Sequence, residues 1–267
     1  MRSIWKGAVS FGLVTIPISL YTATEDKDVH FNQLHKTDHS RIRYRKFCEE
    51  EDVEVTDDEI VKGYEVGKGN YVVMEDKDFE DLPVSTNHAI EIQEFVDLPE
   101  VDPIYFQKSY YLEPQEGAAK PYALLREAME RSNKVALAKV VIRNKEQLAT
   151  LRIYNDVLVM DTLFYPDEIR NPEELIEGTK KASTSEKEVQ MAINLIEALS
   201  GDFEPSKYKD EYREVLLERI DQKREGRPIE TAHAKPSAKI TDIMEALQAS
   251  LTAAQKPAAP KRKTRAA

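Results

Sequence analysis

Residues 4–21 have the sequence IWKGAVSFGLVTIPISLY. Residues 8–21 within it are mostly apolar and β-branched side chains, which predicts a β-strand. Lys6 and Pro17 interrupt the apolar run, so the segment lacks the uninterrupted core of a secretory signal peptide. The chain is therefore expected to begin with β-structure that belongs to a folded domain.

Working outward from this stretch, β-type patterns continue to about residue 165, with one predicted helix at residues 121–131. Turn residues separate the strands at 67–70, at 144–147 and at Asn155-Asp156, which has the spacing of a tight hairpin. Nine short strands favour a β-barrel, in a fold that is mainly β with α. The predicted strands are 8–21, 29–34, 41–47, 71–74, 89–96, 104–112, 134–143, 148–154 and 157–164.

Helical periodicity replaces the β pattern after Pro166. One apolar stripe contains Val189, Ile193, Ile196 and Leu199, with a capping box at Ser185/Glu188 or Ser183/Glu186. A second stripe contains Tyr212, Val215, Leu216 and Ile220. These helices either complete the main domain or extend to a second subunit, and the sequence leaves both alternatives open.

The C-terminal region predicts a linker, a short helix and a tail. Residues 227–239 are proline-containing and poorly apolar, which is typical of a linker. Residues 240–255 form one amphipathic helix, and residues 256–267 carry five positive charges and no negative one, which predicts a disordered basic tail. The helix either docks into a partner's groove or folds back on its own domain. Its apolar stripe is Ile240, Ile243, Met244, Leu247 and Leu251.

A basic segment stands out in a chain whose formal net charge is −11. Residues 41–46, RIRYRK, alternate basic and apolar side chains, so a strand would place Arg41, Arg43 and Arg45 on one face. The following residues 49–59 hold eight carboxylates and no Lys or Arg, which we interpret as a solvated loop. A row of guanidinium groups suits a phosphate backbone, and the alternative is an edge strand protected by charge.

A second basic segment, residues 120–152, contains eight Lys or Arg and three Glu. Its cations would hold a phosphate backbone without reading bases, and the alternative is scattered surface charge. The predicted DNA-binding residues of the two segments are Arg41, Arg43, Arg45, Lys46, Lys139, Arg143, Lys145 and Arg152.

Composition limits the other functions. Cys48 is the single cysteine, so no internal disulfide forms, and no apolar run approaches the twenty residues of a membrane span. We therefore expect a cytoplasmic protein without a membrane partner. An acidic chain with 33% charged residues is not expected to coat nucleic acid with its whole surface.

Phosphate loops, nucleophile elbows and zinc motifs are absent from the sequence, so we expect no enzyme, no cofactor and no metal. One rival is a metal-dependent nuclease that uses His30, His35 and His39 near Cys48, although their spacing does not suit a zinc site. Another rival is a barrel that binds single strands or RNA by stacking bases on Tyr44, Tyr110 and Tyr111.

The opening stretch resembles that of the bacterial Ku proteins, which share an Ile-Trp-x-Gly-x-Ile-x-Phe-Gly-Leu-Val pattern followed by Pro-Val-x-Leu-Tyr. The resemblance covers roughly residues 2–225 and extends to the helix around residues 243–247. Many relatives carry a CxxC where this chain has Cys48-Glu49-Glu50-Glu51, so we assign no metal. Further matching motifs are at residues 31–35, 41–44, 94–96, 102–104, 109–112, 120–125 and 164–170.

The resemblance implies a Ku-type β-barrel core with a bridging arm at residues 1–226, paired into a two-fold homodimer that encircles double-stranded DNA. Ku proteins act in non-homologous end joining of double-strand breaks, where they recruit and stimulate the ATP-dependent DNA ligase D. The resemblance thus implies that this protein threads onto DNA ends, associates with the nucleoid and binds the ligase through the residue 240–255 helix.

Overall fold

The computed structural model describes residues 1–79, 88–142, 145–173, 175–176, 183–228 and 243–254. The chain divides into two compact units, Met1–Arg170 and Asn171–Ala267. The predicted core of residues 1–226 spans this division. The predicted tail and all but the first two residues of the predicted linker lie outside the described residues.

The first unit contains a closed seven-stranded barrel. Around it the strands follow the order β1, β2, β6, β9, β8, β7, β5. All neighbouring pairs are antiparallel except β5 with β1, which run parallel and close the barrel. The barrel prediction is confirmed. The strands of this unit are β1 Trp5–Phe11, β2 Val14–Thr22, β3 Lys62–Gly67, β4 Asn70–Met74, β5 Ala89–Val96, β6 Phe106–Pro114, β7 Val135–Ile142, β8 Lys145–Tyr154 and β9 Val157–Leu163.

The opening stretch forms a hairpin rather than one strand. Gly12 lies at φ 59° in the two-residue turn between β1 and β2, a conformation that glycine adopts without strain. Barrel closure depends on the same stretch, because the backbone N–H of Ala8 donates to the carbonyl oxygen of His88 at 2.9 Å, next to the Ala8–Ala89 pairing.

A fully buried apolar cluster fills the barrel, as the alternation of the strands predicts. Among its residues are Val9, Ile18, Leu20, Ile90, Leu112, Ala138, Val140, Leu151, Leu158 and Met160. Helix α1 (Ala119–Ser132) adds Tyr122, Leu125 and Met129 to this cluster. The buried Tyr122 hydroxyl donates to the carbonyl oxygen of Leu112 and accepts from the N–H of Leu158, both at 2.8 Å, so it ties α1 to β6 and β9.

Between β2 and β5 lies a long excursion from the barrel, of which the structure describes residues 23–79 and 88; we call residues 23–79 the arm. Strands β3 and β4 pair as a two-stranded sheet in it. The predicted strands at 29–34 and 41–47 are wrong, because these residues meet partners only at the single bridges Leu34–Arg41 and Phe47–Glu54. Two tight turns, with His39 at φ 56° and Asp52 at φ 52°, replace continuous pairing.

Several boundaries also differ from the prediction. The predicted turn at 144–147 is wrong, since β8 begins at Lys145. The Asn155-Asp156 hairpin is confirmed, with both residues at positive φ (46° and 66°), as a two-residue turn of the primed type requires.

The second unit contains α2 (Glu186–Leu199), α3 (Glu211–Arg224) and α4 (Ile243–Ala254). The capping box at the start of α2 is confirmed: the Ser185 hydroxyl donates to the Glu188 carboxylate at 2.6 Å and accepts from the Glu188 N–H at 3.3 Å. Helices α2 and α4 contact each other.

Candidate nucleic-acid interface

The arm carries the first predicted basic segment, in an irregular conformation rather than as a strand. The four cations of this segment are exposed and differ in their partners. Arg41 donates from Nη2 to the side-chain oxygen of Asn32 at 3.1 Å. Arg45 forms an ion pair with Glu54, with 2.6 Å between Nη1 and Oε2, and Lys46 forms one with Asp57.

Arg43 differs from Arg45 and Lys46. Within the part of the chain that the structure describes, its side chain makes no hydrogen bond and no ion pair. The positive charges of Arg41 and Arg43 are thus uncompensated by a carboxylate contact, while those of Arg45 and Lys46 are compensated. The predicted strand with Arg41, Arg43 and Arg45 in a row on one face is not what the backbone presents.

The acidic residues 49–59 form the partner of this basic segment. The turn at Cys48–Val53 is closed by the Cys48 N–H, which donates to the Val53 carbonyl oxygen at 2.9 Å. Beyond it, the Val55 N–H donates to the Lys46 carbonyl oxygen at 3.0 Å, so the acidic run lies alongside the basic one. The hydrogen bond from Lys46 lowers the pKa of Asp57, with their charge attraction as the next cause.

The barrel carries the second set of predicted cations, and the three of them that the structure describes also have carboxylate partners. Lys139 contacts Glu146 at 3.2 Å between Nζ and Oε1, and Lys145 contacts Glu168 at 3.0 Å. Glu146 also accepts the Tyr165 hydroxyl at 3.0 Å. Burial, followed by the hydrogen bond to Glu146, raises the pKa of Tyr165 to about 12. Arg143 lies outside the described residues.

Arg152 is bound into the barrel wall. Its Nε lies 2.6 Å from Oδ2 of Asp161, whose side chain is 3% exposed. The Ser109 hydroxyl donates to the same carboxylate from the adjacent strand. This cation therefore compensates a buried charge, so the geometry gives it a structural role beside the predicted DNA contact.

The residues that the two rival hypotheses require do not come together in a shared site. His30 contacts Asp26 at 3.6 Å and His35 contacts Asp38 at 2.9 Å, and no three His, Cys, Asp or Glu of the described ranges form a candidate metal site. Tyr110 packs against the barrel core, while its neighbour Tyr111 points to the opposite face of β6.

Comparisons with known proteins agree with the barrel architecture. A family model described as the Ku70/Ku80 beta-barrel domain matches residues 10–191. The Non-homologous end joining protein Ku of Symbiobacterium thermophilum is 48% identical over 257 residues, which cover 96% of this chain and 64% of that protein. The chain belongs to the Ku family.

Two other Ku-family relatives match along more of their own length. The Bacillus subtilis protein is 45% identical over 262 residues, covering 96% of this chain and 84% of the relative. The Heliobacterium modesticaldum protein is 47% identical over 270 residues, covering 99% and 98%. This chain spans 64% of the length of the Symbiobacterium and Frankia casuarinae relatives.

For the C-terminal helix of this Ku-family chain, the sequence leaves two alternatives, docking into a partner's groove or folding back on its own domain. Met244, Leu247 and Leu251 of α4 are half-buried, and α4 contacts α2. The structure thus corresponds to the fold-back alternative for these residues. Ile240 lies outside the described residues, and Ile243 is the first residue of α4. None of the helices among the described residues has the length and apolar content of a membrane span.

Sequence reasoning missed the carboxylates that accompany the basic residues. The sequence pattern places Glu54 and Asp57 in a solvated acidic run and does not single out Glu146, Glu168 or Asp161 as partners of the cations. The sequence does contain one signal for these ion pairs. The two oppositely charged segments are adjacent along the chain, so a short turn at residues 48–53 can bring them together. The assignment of the cations to a DNA-binding face stays a prediction.

Proposed function

We propose that this chain is a homodimeric protein that binds the ends of double-stranded DNA in non-homologous end joining, and that it catalyses no reaction itself. The observation that carries the proposal is the 45–48% identity, over almost the whole chain, to Ku-family relatives named for non-homologous end joining. The site of action is then the nucleoid in the cytoplasm.

Apolar exposure on the arm supports a homodimer. Tyr44 and Tyr64 are 80% and 69% exposed, and every residue of β3 and β4 except Met74 is exposed. A two-stranded sheet is marginally stable in water unless one face is covered. A second copy of the arm, related by two-fold symmetry, would cover such a surface and close a ring around a duplex.

The chemistry of the cations supports binding that does not depend on sequence. Arg41 and Arg43 lie on irregular backbone of the arm, and Lys139 and Lys145 lie on barrel strands; none of them is on a helix that could enter a major groove. Guanidinium and ammonium groups on such a surface neutralise phosphates and fix the position of the duplex without reading base edges. The duplex would therefore pass through a channel lined with charge.

Recruitment of DNA ligase D is assigned to the residue 240–255 helix. A half-buried apolar stripe on α4, packed against α2, can serve a partner only if the two helices separate or if the partner binds both. Removing residues 228–267 is expected to preserve DNA binding and to weaken ligase stimulation. Leu247→Glu on the half-buried face, compared with Gln248→Glu on the exposed face, tests the helix without truncation; equal ligase stimulation by both variants would contradict this assignment.

The experiment that tests DNA end binding compares one duplex sequence in three forms at fixed salt. The forms are an open linear fragment, the same fragment with bulky hairpins at both ends, and a covalently closed circle. A ring that threads onto ends binds the open fragment and not the other two. Equal affinity for all three would indicate an open cationic groove and would reject threading.

A further inference from the structure

Two of the four cations in residues 41–46 are already occupied by carboxylates of the same chain. Arg45 lies 2.6 Å from Glu54, and Lys46 is paired with Asp57. Both carboxylates come from the acidic run that folds back after the turn at residues 48–53. They hold the two cations by hydrogen bonds to charged oxygens, which is also how a phosphate would hold them.

The two preceding arginines supply an internal comparison. Arg41 donates to a neutral amide, that of Asn32, and the Arg43 side chain forms no hydrogen bond or ion pair within the described ranges. Along six residues the arm therefore presents two cations with uncompensated charge, followed by two whose charge is compensated. Residue type does not explain the difference, because arginine occurs in both pairs.

We propose that Glu54 and Asp57 act as internal competitors of DNA phosphate, which occupy Arg45 and Lys46 and thereby set the affinity of the arm for duplex DNA. The inference rests on the proposed DNA binding and adds to it the residues that regulate its strength. Within residues 41–46 it assigns the standing electrostatic attraction to Arg41 and Arg43, while Arg45 and Lys46 bind DNA only when a phosphate displaces their carboxylates.

The exposure of these pairs makes the exchange feasible. The side chains of Arg45 and Glu54 are 69% and 46% exposed, and those of Lys46 and Asp57 are 62% and 87% exposed. Ion pairs so accessible to water contribute little net stability, so a phosphate can replace the carboxylate without unfolding the arm. Glu54 and Asp57 would then lie close to the duplex and repel it, which limits the gain and keeps the bound protein free to move along the DNA.

Salt dependence of duplex affinity distinguishes the two kinds of cation. Each phosphate that a protein cation neutralises adds about 0.9 to the magnitude of the slope of log affinity against log salt concentration. Glu54→Gln/Asp57→Asn is expected to bind duplex about threefold or more tightly, with a slope steeper by up to about 0.9 for each cation released. Arg41→Ala/Arg43→Ala is expected to make the slope shallower.

A matched control separates this effect from a change in total charge. Glu50→Gln/Glu51→Gln removes two negative charges from the same acidic run, and neither carboxylate forms an ion pair or hydrogen bond among the described residues. The control is expected to change affinity much less than Glu54→Gln/Asp57→Asn. Adding Arg45→Ala/Lys46→Ala to the latter variant should abolish its gain.

Three outcomes of these duplex-binding measurements decide whether Glu54 and Asp57 compete with phosphate. Tighter, more salt-dependent binding by Glu54→Gln/Asp57→Asn alone supports the competitor role. If that variant behaves as the Glu50→Gln/Glu51→Gln control does, while the unmodified protein binds duplex, the inference is overturned and the proposed function stands. If the unmodified protein and all variants fail to bind duplex at low salt, both are overturned.

Discussion

Gly7 lies where the barrel closes, and substituting it tests the account of the fold. A Cβ atom at this position would lie 2.1 Å from the carbonyl oxygen of His88 and 2.1 Å from the Trp5 ring. Since Cβ atoms essentially never approach another heavy atom within 3.0 Å, the Gly7→Ala substitution forces the β1 backbone and the His88 carbonyl apart by about 1 Å. The same carbonyl accepts the N–H of Ala8 at 2.9 Å, so that hydrogen bond weakens.

The cost follows from these two effects. Overpacking of a well-packed site costs about 1–3 kcal/mol, and a weakened hydrogen bond costs about 0.5–1.5 kcal/mol. Replacing glycine recovers about 0.4–1 kcal/mol by restricting the unfolded chain. We therefore expect Gly7→Ala to lower the free energy of unfolding by about 0.5–4 kcal/mol, with a central value of about 2 kcal/mol.

Urea unfolding followed by tryptophan emission measures this change, because Trp5 is the single tryptophan and its indole nitrogen is buried beside the closure. Gly67→Ala is the matched control: it is the same substitution in the same unit, and a Cβ there meets no atom within 4 Å. A free energy of unfolding for Gly7→Ala within about 0.5 kcal/mol of the control would refute the reasoning about closure.

Three other predictions concern the barrel. Arg152→Ala leaves Asp161 buried and unpaired, so it should cost about 3–5 kcal/mol in urea unfolding, whereas Lys139→Ala, at an exposed pair, should cost at most about 1 kcal/mol. Tyr122→Phe removes a hydroxyl that satisfies two backbone groups and should cost about 1–3 kcal/mol in the same assay. The raised pKa of Tyr165, about 12, means that its protonated form is favoured by folding; this contribution is complete below pH 10 and is lost as the pH rises to about 12. Alkaline titration of tyrosine absorbance in the folded protein should show a late-ionising group that Tyr165→Phe lacks.

The barrel was predictable from the sequence because its signals are local. Strands such as β5 and β9 combine apolar periodicity with clear turn residues, and the Asn155-Asp156 turn has the chemistry that a two-residue hairpin requires. Closure by parallel pairing of β1 with β5 was not predictable, since it joins segments some eighty residues apart and depends on Gly7 allowing close approach.

The arm shows where periodicity misleads. Residues 41–46 alternate as a strand does, yet alternation produces a sheet only where a partner strand supplies hydrogen bonds, and Arg41 finds its partner at one bridge. The ion pairs of Arg45 and Lys46 join residues nine and eleven positions apart. These ion pairs depend on the turn between the paired residues. The charged residue types can be read from the sequence, but which cation pairs with which carboxylate cannot.

The central claim is that the protein encircles DNA after entering from an end. The most direct measurement loads the protein on an open linear duplex, then attaches bulky hairpins to both ends, and follows the bound fraction after a jump to high salt with excess competitor DNA. Encirclement predicts that the protein stays bound once the ends are blocked and leaves quickly when they are open. Equally fast loss from blocked and open duplexes would contradict it.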